Sequence, residues 1–495
     1  MTRHDTGPAV PGAADPRRWR ILAVTQLAGF MSLLDVSIVN VALPSIQQGL
    51  GATSGMTQWV VSGYALAFGL ALVPAGRLGD TFGRRPMFMV ALAAFVTTSA
   101  LSGAAPTIGL LIVARVLQGV AGGTLTPQNS GLIQDLFQGP ERGRAFGVLG
   151  ATIGLSTAVG PVVGGLILAA FGEPDGWRWV FYVNVPIGLV ALVVAARLVP
   201  PPQRGRPRQP EVDLVGSLLL GAGVFSLMLP LVEADAGGPG SLWWLLAAAG
   251  VLLVAFARWE VGTVHRGRQP LIDPRLGRTP GYAAGLSIGL IYFLGFTGIW
   301  LVLARFFQTG LGYSPLRSGL AVTPFALGVA ISAVIAGRLV ARLGRWLTVV
   351  GLMAVVVGLA TAALVLRYVA GDSAAWVAAG PFLLGGLGGG MVTSPNITLS
   401  LESVPVRMAG VAGGALQTGQ RIGGAIGTAI LVGVFTIVLR DSGGDYPEAV
   451  SDTLLCAAGV MLLGLAIAVA ELIRRRSLGE LPAPAPRPEH HFHNV

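Results

Sequence analysis

Asp35 is the only carboxylate in the 495-residue sequence placed deep within a hydrophobic segment, in the stretch Leu34-Asp35-Val36-Ser37-Ile38-Val39-Asn40-Val41-Ala42-Leu43-Pro44. An ionised side chain at the centre of a bilayer costs at least about 2.5–3.5 kcal/mol on the lenient insertion scales, so a chain keeps one where it is paired, hydrated or protonated in turn. Proton or cation exchange is therefore the first chemistry these residues offer. Asp35 stands nine residues before Pro44 in the first apolar run, and Arg115 stands eight residues after Thr107 in the fourth. At 1.5 Å per residue both fall roughly 12–14 Å from the same boundary, so they share a depth. A nearby arginine favours the ionised carboxylate and burial favours the neutral one. A change in hydration between two states could then load and release a proton at Asp35, with Arg115 tuning it. The competing reading of the same two residues is a static structural ion pair.

The elements that hold these residues are membrane helices. Charged residues make up 11% of the chain and apolar ones 53%, against about 25% and 45–50% in a soluble domain. Most apolar runs reach the ~17–25 residues that a helix needs to cross a bilayer, and none shows the period-2 alternation of a membrane barrel. Fourteen spans are expected, near 20–44, 57–78, 87–105, 107–127, 143–171, 179–199, 212–232, 242–259, 281–307, 316–340, 346–368, 376–400, 408–438 and 452–474. Arginines cluster in alternate loops, as in Arg17, Arg18 and Arg20, then Arg77, Arg84 and Arg85, then Arg142 and Arg144, while the intervening loops carry Glu173, Asp175, Glu233 and Asp441. Positive charge stays inside, which predicts cytoplasmic termini, in agreement with an even number of spans. The first run is long and lacks a small-residue cleavage pattern, so an uncleaved anchor is expected.

Composition also excludes classes. All 33 basic residues are Arg and no Lys occurs, so the phosphate-binding Gly-Lys-Ser/Thr of a P-loop and a lysine Schiff base are both impossible. The net charge of +10 suits cytoplasmic loops of a membrane protein rather than nucleic acid. Cys456 is the single cysteine, which rules out an internal disulfide. No cofactor and no metal are expected; the tail cluster His490, His491 and His493 reads as solvated.

Two segments repeat. Gly76-Arg77-Leu78 followed by Gly83-Arg84 returns as Gly337-Arg338-Leu339 followed by Gly344-Arg345, and Arg144-x-x-Gly147-Val148-x-Gly150 returns as Arg407-x-x-Gly410-Val411-x-Gly413. The expected organisation is a tail over 1–19, a six-helix bundle over 20–199, a Pro/Arg linker over 200–211, two inserted helices over 212–259, a second linker over 260–280, a related six-helix bundle over 281–474 and a tail over 475–495. Parallel repeats of this kind place a substrate cavity between the halves, opened alternately to each side.

The loop Gly76-Arg77-Leu78-Gly79-Asp80-Thr81-Phe82-Gly83-Arg84-Arg85 resembles the signature loop of the major facilitator superfamily. The stretch around Asp35, the run Gly160-Pro161-Val162-Val163-Gly164-Gly165 and the segment Trp177-Arg178-Trp179-Val180-Phe181-Tyr182-Val183-Asn184-Val185-Pro186-Ile187-Gly188 are similar to its fourteen-span drug:proton antiporter branch. The resemblance covers residues 20–474. It implies an all-helical fold, spans 1 and 4 lining the central cavity, and proton-gradient-driven export of lipophilic, often cationic, drugs or antibiotics. It implies an association of Arg115-Val116-Leu117-Gln118-Gly119 with proton transfer, and of Gly160, Pro161, Gly164 and Gly165 with antiport, although Ser156 stands where the motif has Gly. A gating role follows for Gly76, Asp80, Gly83, Arg84 and Arg85. Asp80, an acid among arginines, could latch one half to a helix N-terminus or arginine of the other. The second copy has Ala341 at the matching place, so a one-sided latch is expected.

Candidates for a greasy cavity with a few polar handles are Asn40, Trp59, Tyr64, Phe68, Gln118, Tyr292, Phe296, Trp300 and Arg421. Expected partners are lipophilic small molecules, protons and membrane lipid, with no nucleic acid and no ATP, and the chain is expected to act as a monomer. A dedicated exporter of one self-made natural product, siderophore or lipid is the alternative on the same fold; a non-transporting membrane sensor or enzyme is the alternative of a different class.

Overall fold

The computed structural model describes residues 16–172, 175–199, 213–235, 240–268, 270–279, 281–369, 371–402, 404–405 and 408–477. The expected linker over 200–211 and most of both tails, including the histidine cluster, lie outside the described residues.

Every regular element among the described residues is helical. In chain order they are α1 (Arg18–Gly49), α2 (Ser54–Phe82), α3 (Arg84–Ala104), α4 (Ile108–Leu136), α5 (Gly139–Phe171), α6 (Trp177–Tyr182), α7 (Asn184–Leu198) and α8 (Leu214–Asp235). There follow α9 (Trp244–His265), α10 (Tyr282–Arg305), α11 (Pro315–Leu343), α12 (Trp346–Tyr368), α13 (Ala374–Leu401), α14 (Ala409–Asp441) and α15 (Tyr446–Ser477). The expected sixth span is interrupted at Val183 into α6 and α7, so fifteen helices form fourteen rods. Twelve rods are long and apolar enough to cross a membrane, and the other two, α5 and α8, carry the apolar stretches Val162–Phe171 and Val215–Pro230. With this length and composition the chain is a multi-pass membrane protein.

Helix ends follow local chemistry. The hydroxyls of Thr53, Thr107 and Ser314 accept from the N–H groups of Met56, Leu110 and Arg317 at 3.3–3.4 Å, capping α2, α4 and α11. Gly83, at φ 99°, turns α2 into α3 within one residue, a backbone state that other residues rarely adopt.

Small residues four apart set the helix pairs. Gly119 and Gly123 of α4 press on the backbone of Tyr64 and Phe68 in α2, and Gly423 and Gly427 of α14 press on Leu290 and Leu294 in α10. One set of buried clusters draws on α1 to α7 and another on α10 to α15. The hairpin of α8 and α9 lies outside both sets, and α8 touches α2 and α14. Its Leu220, Val224 and Met228 pack with Leu66 and Val73 of α2, so the hairpin covers one seam between the halves.

Candidate functional site

The first and second sets of helices meet at the arginine-rich end. The carboxylate of Asp80, at the end of α2, accepts from the backbone N–H of Val411 in the first turn of α14 at 3.1 Å through Oδ2. Its other oxygen takes Arg84 Nη2 at 3.2 Å. Arg84 also pairs with Asp135 Oδ2 at 2.9 Å and donates to the carbonyl of Gly131, tying α3 to α4. Arg85 Nη2 donates to the Ala196 carbonyl at 2.7 Å. Gly76 is buried in α2. On the other side of the molecule a Cβ on Gly337 of α11 would lie 2.6 Å from Gly143 O and 2.7 Å from the Gly147 Cα of α5, so only glycines allow this approach. In the second copy of the loop, Arg345 bonds Asn396 Oδ1 at 2.7 Å and Glu471 Oε2 at 2.9 Å, both in its own half. The carboxylate contact across the halves is made by the first copy of the loop, through Asp80; the second copy has Ala341 at the matching place.

Deeper in, Asp35 sits in a closed polar knot. Arg115 Nη1 donates to Asp35 Oδ2 at 2.5 Å and to Gln118 Oε1 at 2.8 Å, and its Nε donates to Val60 O at 3.0 Å. Gln118, one turn along α4 on the same face, gives its amide to Asp35 Oδ1 at 3.2 Å. Asn184, the first residue of α7, donates to the same oxygen at 2.8 Å and to Ser99 Oγ at 3.1 Å. The Arg115 guanidinium lies 4.2 Å above the Tyr64 ring. Asp35 and Arg115 are both 0% exposed, so in this conformation the pair is sealed inside the first half rather than lining the cavity between halves. Each charge keeps hydrogen bonds that a bare buried charge would lack, while among the described residues Arg115 Nη2 and Asn184 Oδ1 are buried without a hydrogen-bond partner. Asn184 and Ser99 were not picked out as site residues from sequence; a lone Asn within the apolar sixth span was the available signal.

The glycine-rich run packs α5 on α1 next to the knot. Gly160 lies against Ser37 and Gly164 lies 3.3 Å, measured from its built Cβ, from Ile38 O, whereas Gly165 faces open space. The Pro161 side chain lies outside the described set. Ser156, in place of the motif's glycine, donates to Thr152 O at 2.6 Å and Phe30 O at 3.3 Å.

The aromatic candidates divide. Tyr292, Phe296 and Trp300 of α10, with Phe293, Phe325 of α11 and Gly154 of α5, line a small cleft between the halves. Tyr292 and Phe296 stack at 5.2 Å, and Trp300 meets Phe296 edge-on at 5.3 Å. Tyr64 and Phe68 are buried, with rings 5.9 Å apart, and the Arg421 guanidinium of α14 lies 4.3 Å over Phe68. Asn40 is exposed. Trp59 packs into the α2–α8 seam instead of the cleft, because the inserted hairpin supplies an apolar partner there.

Two sets of membrane helices, locked at one end and parted around a central aromatic cleft, define a membrane transporter built from two halves. The chain belongs to the major facilitator superfamily, whose family model (Major Facilitator Superfamily) matches residues 26–428. It is 38% identical over 473 residues to "Puromycin resistance protein pur8" of Streptomyces alboniger, covering 92% of this chain and 91% of that protein. It is 36% identical over 468 residues to "Probable actinorhodin transporter" of Streptomyces coelicolor, covering 92% of this chain and 80% of that protein. Among solved structures, the human organic anion transporter MFSD10 superposes with a TM-score of 0.67 over 92% of this chain and 100% of that one, at 15% identity, which speaks for the fold alone.

Proposed function

We propose that this transporter exports lipophilic antibiotics or drugs across the cytoplasmic membrane, with both termini in the cytoplasm, by exchanging cargo for protons. The observation that carries the proposal is the Asp35 knot: one carboxylate, 0% exposed at mid-membrane depth, held by Arg115, Gln118 and Asn184. With positive loops inside, the arginine-rich end where Asp80 joins the halves is the cytoplasmic one. Protonation of Asp35 from outside removes its ion pair with Arg115 and loosens α1 from α4; loss of that proton to the cytoplasm restores the pair. Such a two-state element, biased by a proton and by cargo, is what alternating access requires.

Cargo range separates two versions of this function. The relatives named for puromycin resistance and actinorhodin transport favour export of a single self-made compound as the second reading. The experiment is expression in a drug-sensitive host against a panel of unrelated compounds. Protection against several supports multidrug export, protection against one supports the dedicated exporter, and protection against none contradicts both.

A further inference from the structure

Arg421 is the mid-membrane cation that the Asp35 knot does not use. It stands twelve residues into α14, about 18 Å from the arginine-rich end and further still from the other, too deep for its side chain to reach either interface. Among the described residues no carboxylate pairs with it and no hydrogen bond reaches it; its guanidinium lies 4.3 Å over the face of Phe68. It is only partly buried and, resting on Phe68 of α2, its guanidinium lies between the two halves. The single carboxylate at comparable depth, Asp35, is saturated and 0% exposed. Cargo entering the centre therefore meets positive charge and no available negative charge. Two residues of the aromatic cleft, which Arg421 does not itself line, stand at a comparable depth: Tyr292 and Phe296 are ten and fourteen residues into α10, about 15–21 Å from the same end. Trp300, which lines it, has a buried indole N–H without an acceptor. Both groups, the Arg421 guanidinium and the Trp300 indole, are donors.

We infer that Arg421 anchors the cargo, and that the cargo is a flat aromatic molecule bearing an anionic oxygen, such as a carboxylate or phenolate, rather than a cation; this rests on the central cleft being the export site. Guanidinium binds such an oxygen through paired N–H groups, and a desolvated setting strengthens the bond.

The test is equilibrium dialysis of the purified full chain against two probes of one shape and opposite charge, 9-anthracenecarboxylate and 9-(aminomethyl)anthracene. The wild type binds the carboxylate at least about tenfold more tightly than the amine, and Arg421→Gln removes that preference, the loss of one charge-assisted hydrogen bond. Arg421→Lys, which keeps the charge, retains a preference for the carboxylate and keeps the inference testable if Arg421→Gln does not fold. Equal or tighter binding of the amine by the wild type, or an undiminished preference in Arg421→Gln, overturns it. Flux of both probes in sealed vesicles separates this from the export reading. An anion that binds through Arg421 but is not moved defeats export alone; an amine that is moved while the carboxylate is not bound defeats the anion site alone.

Discussion

Removing both members of the Asp35–Arg115 pair should cost clearly less than the sum of removing each alone. The pair is 0% exposed on each side with a 2.5 Å contact, and breaking a buried pair from one side costs about 3–5 kcal/mol because the surviving charge is left without its partner. Here the survivor is not bare: Arg115 keeps Val60 O and Gln118 Oε1, and Asp35 keeps the amides of Gln118 and Asn184. The lower end, about 3 kcal/mol for Asp35→Asn or Arg115→Gln, is therefore expected. The double variant carries neither charge, so it should lose about 4 kcal/mol rather than the additive ~6, a coupling energy of about 2 kcal/mol. Equilibrium unfolding in detergent, followed by tryptophan fluorescence, measures the four proteins of the cycle. Additivity within about 0.5 kcal/mol, the range of independent sites, would show that the two side chains do not depend on one another and would refute the knot.

Asp80→Asn removes the charge behind the bond to Val411 N, about 1.5–3 kcal/mol of closure. Ser130→Cys, at a site 2% exposed and packed on Gly413, should then be labelled from the cytoplasmic side by an impermeant maleimide at least about tenfold faster in a Cys456→Ala background; an unchanged rate would contradict the latch. Gly337→Val places a side chain where Gly143 O would stand 2.6 Å from its Cβ. The same labelling should rise and transport should fall, and wild-type labelling would show that α5 and α11 close without that contact. Asn184→Leu leaves Asp35 Oδ1 with Gln118 alone, so stability in detergent should drop by about 1–3 kcal/mol, and no drop would mean that Asn184 is not holding the carboxylate.

The shared depth of Asp35 and Arg115 was readable because helix rise converts residue counts into distance. Their contact was not, since sequence spacing says nothing of which helices lie side by side. Gln118 is named from sequence only through the family motif and as a cavity candidate; that it bonds Asp35 and Arg115 instead depends on which helices pack together. Asn184 was quoted within a motif yet not recognised as the residue that joins α7 to the knot, because an Asn in an apolar run does not reveal its partner. The charge of Asp80 and its place at a helix end point to a helix N-terminus or an arginine of the other half; that the partner is Val411 N, 331 residues away, could only be found by packing. Trp59 was misplaced because an aromatic in a span serves a cleft or a seam equally well, and the position of the inserted hairpin decided between them.

The most direct test of proton exchange at Asp35 is cargo accumulation in sealed proteoliposomes under an imposed pH gradient, using a compound to which the protein confers resistance and normalising to folded protein. Wild-type vesicles should concentrate it only while the gradient lasts, and Asp35→Asn should bind and equilibrate it without concentrating it. Gradient-driven accumulation by Asp35→Asn at the wild-type level would contradict the account.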